Sequence, residues 1–227
     1  MKVVKACLAE MFGTFALVFI SVGAIHNANH QQMDLLGIAL AYGLATAAMV
    51  SATVAVSGGH LNPAISFAAF LAGRMGFAQT ARYILAQLAG AALAGYLCVT
   101  VFSTGVVSAA TPNLGKDVSM GAAILVEATL TFLLTFVMFG TVMDVRGPKI
   151  GGLGVGLVVA GGVLFGQPLT GAAMNPARVF GTAIVSGHFA NHAVYWIGPM
   201  LGALLVGVIY GRFLILPDEP PIAPKKN

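Results

Sequence analysis

Long apolar runs separated by short polar interruptions dominate the chain. Stretches at roughly 6–26, 35–56, 81–103, 120–142, 150–167 and 193–216 carry almost no charge. Each is long enough for an α-helix to cross a bilayer, which takes about 20 residues. Two further apolar runs, roughly 63–73 and 176–187, are too short to span. Each opens with Asn-Pro-Ala and follows a flexible stretch containing glycine. Proline suits a first helical position, where the N–H it lacks would be unpaired anyway, and asparagine is among the best N-caps. The pattern therefore predicts an all-α membrane protein of six transmembrane helices and two re-entrant half-helices.

The two halves of the chain are copies of each other. Ser57-Gly58-Gly59-His60-Leu61-Asn62-Pro63-Ala64 is matched by Thr170-Gly171-Ala172-Ala173-Met174-Asn175-Pro176-Ala177, 113 residues further on. Upstream, Glu10 through Phe15 resembles Glu127 through Phe132; downstream, Tyr83 through Gly90 resembles Tyr195 through Gly202. Each half holds three spans, an odd number, so the second copy enters the membrane from the opposite side. That arrangement is an inverted repeat, in which functional sites sit where broken helices meet near the bilayer midplane. One transmembrane channel domain is expected over 1–216, with repeat one at about 1–105 and repeat two at about 118–216. A disordered cytoplasmic tail, rich in proline and polar residues, is expected at 217–227.

Irregular backbone at membrane depth is tolerated only where it is buried in protein or lines a water-filled cavity. Two half-helices meeting at the midplane bring two N-termini together, each worth about half a positive charge. Such a point repels cations, while the amides of Asn62 and Asn175 offer hydrogen bonds to one passing molecule. A neutral, hydrogen-bonding solute crosses where a hydrated ion does not.

Composition agrees, with 58% hydrophobic residues, 8% charged and a mean hydropathy of +0.92. Basic residues give the orientation, because short cytoplasmic loops are enriched in Lys and Arg. Lys2, Lys5, Arg74, Arg82, Arg146, Lys149, Arg212, Lys225 and Lys226 fall on one side of alternating spans, and only Lys116 falls in a loop on the other. Both termini are thus expected in the cytoplasm. Lys2 and Lys5 ahead of an apolar core resemble a secretory leader, but Glu10 lies inside the run and no small-x-small cleavage site follows, which favours a retained span. The net charge of +4 is read as loops facing anionic lipid; no basic cluster with interleaved aromatics points to nucleic acid. Cys7 and Cys98 lie in apolar spans as small hydrophobes.

Two Asn-Pro-Ala boxes, Glu10 and Glu127 in the first and fourth spans, and Arg178 directly after the second box resemble the aquaporin, or major intrinsic protein, family. The resemblance covers nearly the whole chain. It implies six tilted helices and two half-helices around one pore per subunit, in a homotetramer. It also implies a passive conduit for water and small uncharged solutes, with no catalytic residues and no cofactor. Arg178, costly at membrane depth by about 2.5–3.5 kcal/mol, becomes a donor to the solute and a barrier to cations. Glu10 and Glu127, as symmetry mates, become acceptors for unpaired N–H groups of the re-entrant loops rather than a proton relay. His60 is implied to line the cytoplasmic half of the pore, with a packing role as the alternative.

The family's outer selectivity filter falls, by counting back from the boxes, on Tyr42, Val163, Ala172 and Arg178. Water-selective members resemble one another in having Phe and His at the first two positions, and glycerol facilitators typically have Trp, Gly and Phe at the first three. This chain matches neither. Valine in place of His removes a polar group and alanine leaves space, so a wider, more apolar constriction is expected, passing glycerol, urea, ammonia or hydrogen peroxide besides water. Val179, Ala183 and the Tyr195-Trp196 pair resemble the water-channel branch instead. The reading is therefore a water channel with relaxed selectivity, with a glycerol facilitator as the alternative.

A secondary transporter also fits an inverted repeat with broken helices, but it needs a coupling site and moving gates. No constellation for nucleophilic, phosphate or metal chemistry is present, so an enzyme is not expected. The Gly-rich run Gly151 to Gly162 lies in a span and reads as close helix packing. His26, His30, His188 and His192 show no metal spacing beyond an i, i+4 pair and are read as surface residues. Short loops and no targeting signal lead to the expectation of a prokaryotic inner membrane.

Overall fold

The computed structural model describes residues 2–214. The expected tail at 217–227, with Lys225 and Lys226, lies outside the described residues. Among the described residues six helices are long and apolar enough to cross a membrane: α1 (Lys2–Asn29), α2 (Leu35–Ser57), α4 (Phe77–Val101), α6 (Met120–Met138), α7 (Leu153–Thr170) and α9 (Val194–Ile209), with α6 and α9 reaching that length together with the segments that continue them to Met143 and Leu214. The last turns of α6 and α9 widen into π-helical segments, Phe139–Met143 and Tyr210–Leu214. The two short apolar runs form α3 (Pro63–Leu71) and α8 (Pro176–Ser186). A further short helix, α5 (Thr104–Ala110), lies in the long connection between the halves and was not expected from the sequence. Its start is marked by Ser103, whose hydroxyl accepts from the Val106 N–H.

The helices pack through small residues. Lipid tails are as apolar as leucine, so helices associate in a bilayer by close van der Waals contact rather than by a hydrophobic drive. In α1 against α4, a methyl group on Gly90 would collide with the Met11 carbonyl; in α6 against α9, a methyl on Gly202 would collide with the Ala128 carbonyl. These two contacts are the same contact in the two copies, since both partners match across the repeat. Between the copies, Gly43 of α2 and Gly156 of α7 each approach the other's carbonyl too closely to admit a side chain. Within the Gly-rich run, Gly152 and Gly156 pack against α2, whereas Gly162 faces Met174 of the second loop. Large side chains such as Phe12, Phe77, Leu85 and Phe165 point outward instead.

The copies interlock. Half-helix α3 of the first packs against α9 of the second, and half-helix α8 of the second packs against α4 of the first. This places the two Asn-Pro-Ala turns face to face inside the bundle.

Gly90→Val is expected to lower the unfolding midpoint in detergent, because over-packing costs roughly 1–3 kcal/mol even where relaxation is available. Gly23→Ala, where a methyl meets nothing within 4 Å, is expected to leave the midpoint nearly unchanged. Equal melting of the two variants would refute the close-contact account.

Candidate functional site

Each half-helix begins in an extended loop whose backbone N–H groups have no helical partner. A buried carboxylate collects them. Glu10, fully buried in α1, accepts from the N–H of His60 at 3.0 Å and of Leu61 at 2.6 Å, and from the Ser57 hydroxyl at 2.6 Å. Glu127, fully buried in α6, accepts from the N–H of Ala173 at 2.9 Å and of Met174 at 2.8 Å, and from the Thr170 hydroxyl at 2.6 Å. Tyr83 and Tyr195 complete each cradle by donating to the carbonyls of Ser57 and Thr170, at 2.8 and 2.9 Å. Both glutamates are thus placed as acceptors for loop N–H groups. The tyrosines lay in the repeated segments, but only their position marked them.

The cradles hold the loops in an unusual conformation. Leu61 (φ 52°) and Met174 (φ 52°) occupy the left-handed region at matching positions, as do Gly59 (φ 65°) and Ala172 (φ 43°). Non-glycine residues rarely adopt it, and they persist there only where the surroundings over-determine the backbone. Each twist turns a carbonyl toward the opposite loop. Asn62 Nδ2 donates to the Met174 carbonyl at 2.8 Å, and Asn175 Nδ2 donates to the Leu61 carbonyl at 2.9 Å. The side-chain oxygens cap their own half-helices, accepting from Ala64 N at 2.9 Å and Ala177 N at 3.0 Å. An asparagine amide has two N–H donors, so one from each remains for whatever occupies the space between them.

That space is a cavity of about 50 Å³. A water needs roughly 10–15 Å³ of such space, so the cavity has room for a short file of waters. Asn62, Asn175, His60, Tyr42, Ala172 and Arg178 line it, and Leu17, Val50, Ile65, Leu134, Val155 and Val159 form its apolar wall. Pro63, Ala64, Pro176 and Ala177 form the first turns of the half-helices and are buried behind it.

Arg178 lies across from Tyr42. Its Nη2 donates to the Tyr42 hydroxyl, its Nη1 donates to the Gly171 carbonyl at 3.3 Å, and its guanidinium carbon sits 4.6 Å from the Tyr42 ring centroid. The buried Nε has no partner, and no carboxylate among the described residues forms an ion pair with Arg178. Its positive charge therefore stands in the first turn of α8 with no direct ion pair. Tyr42, Ala172 and Arg178 meet at this level, but Val163, fully buried, is absent from the cavity lining, where Val159 one turn earlier is present.

His60 sits on the other side of the asparagines, in edge contact with Tyr83. Its Nδ1 lies 3.1 Å from Ser66 Oγ, which accepts at 3.0 Å from Gln87 Nε2; that amide also donates to Glu10 at 2.7 Å. The second copy has Pro199 at the position of Gln87, so this chain of bonds exists in one half only. The outer histidines are less exposed than their reading as surface residues held. His30 is exposed, but His26, His188 and His192 are half-buried, each with a ring nitrogen shut away from solvent. Burial lowers the basicity of His192, which accepts from Trp196 Nε1 at 3.2 Å. Among the described residues no cluster of three metal-ligating side chains occurs.

A narrow, donor-lined passage through a bundle of membrane-crossing helices, built from an inverted repeat, defines a class of transmembrane channel. The family model of the major intrinsic proteins matches residues 1–210, and the chain belongs to that family. It is 41% identical to Aquaporin TIP4-4 of Zea mays, over 96% of this chain and 90% of that one. It is 37% identical to Aquaporin-4 of Mus musculus, over 94% and 68%. In structure it resembles the aquaglyceroporin from Plasmodium falciparum, with a TM-score of 0.82 over 93% of this chain and 97% of that one, at 24% sequence identity.

Glu127→Gln leaves one oxygen for three donors and turns an amide N–H₂ toward them. An unsatisfied buried donor costs about 1–3 kcal/mol, so the variant is expected to melt earlier in detergent and to lose water flow in proteoliposomes. Wild-type melting and flow in that variant would show that the loops do not depend on the carboxylate.

Proposed function

We propose that this protein is a passive channel that conducts water with relaxed selectivity, admits small neutral solutes, and excludes protons and ions. The observation that carries the reading is the pair of crossed asparagines at the waist of a single narrow cavity. Each has one amide N–H in use and one to offer. A molecule at the waist accepts from both, which orients it with its lone pairs toward the asparagines and its own donors away from each other. The two half-helix N-termini and Arg178 oppose any cation at the same place.

Selectivity among neutral solutes belongs to Tyr42, Val163, Ala172 and Arg178 on this reading. Arg178 is the donor to the solute, Tyr42 holds it by accepting one of its N–H groups, and the small Ala172 leaves room beside them. Val163 brings no polar group to the level where the water-selective members place His. The apolar wall of Ile65, Leu134, Val155 and Val159 favours the second reading, a glycerol facilitator, since a polyol presents C–H groups on one side. Glu10 and Glu127 support the loops, and His60 offers a polar contact toward the cytoplasm. The likeness to the aquaporins supports a multi-pass protein of the cell membrane, with one channel domain over 1–216, both termini cytoplasmic, and four copies to an assembly.

Stopped-flow light scattering on proteoliposomes tests the reading, comparing osmotic water flow with glycerol and urea uptake. Water flow well above empty vesicles, with solute uptake that falls in Val163→His, is the expected result. Fast water flow with solute uptake at the background would refute the relaxed filter. Glycerol uptake far exceeding water flow would favour the facilitator.

A further inference from the structure

Two hydroxyls in the cavity wall have no part in the machinery described so far. Ser21 of α1 and Thr46 of α2 both line the cavity and are 4% and 8% exposed. Their depth follows from their neighbours. On α2, Tyr42, Thr46 and Val50 line the cavity at successive turns. Tyr42 touches Arg178, whereas the Val50 carbonyl lies beside Gly59 of the first loop. Thr46 is therefore between the constriction and the first loop, about 6 Å from Tyr42 at 1.5 Å per residue. On α1, Gly13 faces Leu61, and Ser21 lies eight residues, or about 12 Å, further toward the same outer end. Below them the same two helices present Leu17 and Val50.

Both hydroxyl protons are already in use. Ser21 Oγ donates to the Val18 carbonyl and Thr46 Oγ1 donates to the Tyr42 carbonyl, each at 2.8 Å. A hydroxyl has one proton and two lone pairs, so what is left at each is acceptor capacity alone. The second re-entrant loop, through Ala172 and Ala173, also lines the cavity, and the donors there are Arg178 and the two asparagine amides.

Resting on the proposed channel function, we infer that Ser21 and Thr46 form an acceptor shelf that selects for solutes with N–H or O–H donors on both flanks of a central acceptor. The central oxygen of such a solute accepts from Arg178 or the asparagine amides. One flank donates to loop carbonyls and the other to the shelf. Urea has this pattern. Acetamide has nearly the same shape with a methyl group in place of one amino group, so it leaves either the shelf or the loop without a donor. An acceptor desolvated without a partner carries a penalty that water cannot relieve in so narrow a space.

The test is the ratio of urea to acetamide uptake in proteoliposomes, each corrected for empty vesicles. Wild type is expected to favour urea. In the Ser21→Ala, Thr46→Val double variant the ratio is expected to fall about tenfold, the size of roughly one net hydrogen bond. Thr46→Ser, which keeps the hydroxyl, is expected to keep the preference. Detergent melting verifies folding, and if the double variant melts early the single Thr46→Val is read in the same way. An unchanged ratio in variants that melt like wild type would overturn the shelf and leave the channel reading standing. Uptake of neither solute by a wild-type protein that conducts water would overturn the relaxed filter and the shelf with it.

Discussion

Everything at the centre of this molecule depends on two buried carboxylates holding loops that have no business being irregular inside a membrane. Backbone N–H groups at bilayer depth must be satisfied within the protein, and Glu10 and Glu127 each satisfy two of them together with a hydroxyl. A carboxylate does this well because it is acceptor-only and takes several donors at once. With the loops so held, Leu61 and Met174 stay in a left-handed conformation that no local preference would select. Their carbonyls then meet the asparagines of the opposite copy, and the cavity acquires its waist.

The duplication makes this possible. One half-helix alone would leave its Asn amide and its loop carbonyl without partners, whereas two in inverted relation satisfy each other. The glycine contacts extend the same logic outward, since Gly90 and Gly202 let α1–α4 and α6–α9 close to the distance at which the glutamates reach the loops. Two differences between the copies bear on the cavity and its surroundings. Arg178 stands after the second box, where the first has Ile65. Gln87 bonds Glu10 and Ser66 in the first copy, where the second has Pro199.

Much of this was legible in the sequence because it is written in patterns that have few physical solutions. Six charge-poor runs each long enough to span a bilayer, two short ones opened by Asn-Pro-Ala, and a Glu at matched positions leave little choice of fold. The half-helices end at Leu71 and Ser186, within two residues of the expected limits. Details that depend on three-dimensional register were not legible. Counting residues gave no sign that Val159, one turn before the filter position Val163, lines the cavity. That one N–H of each asparagine amide also links the two loops was not visible either. The hydroxyls of Ser21 and Thr46 look like ordinary small polar residues until the cavity passes them. Helix α5 was hidden because its seven residues are too few for a periodic signal.

The central claim is that the crossed asparagines, the helix N-termini and Arg178 separate neutral solutes from charge. The most direct measurement follows water flow and internal pH together in the same proteoliposomes, under an osmotic step and then under a pH gradient. The account predicts water flow far above that of empty vesicles while the pH gradient decays no faster than theirs. A gradient that collapses in proportion to the water conducted would contradict it.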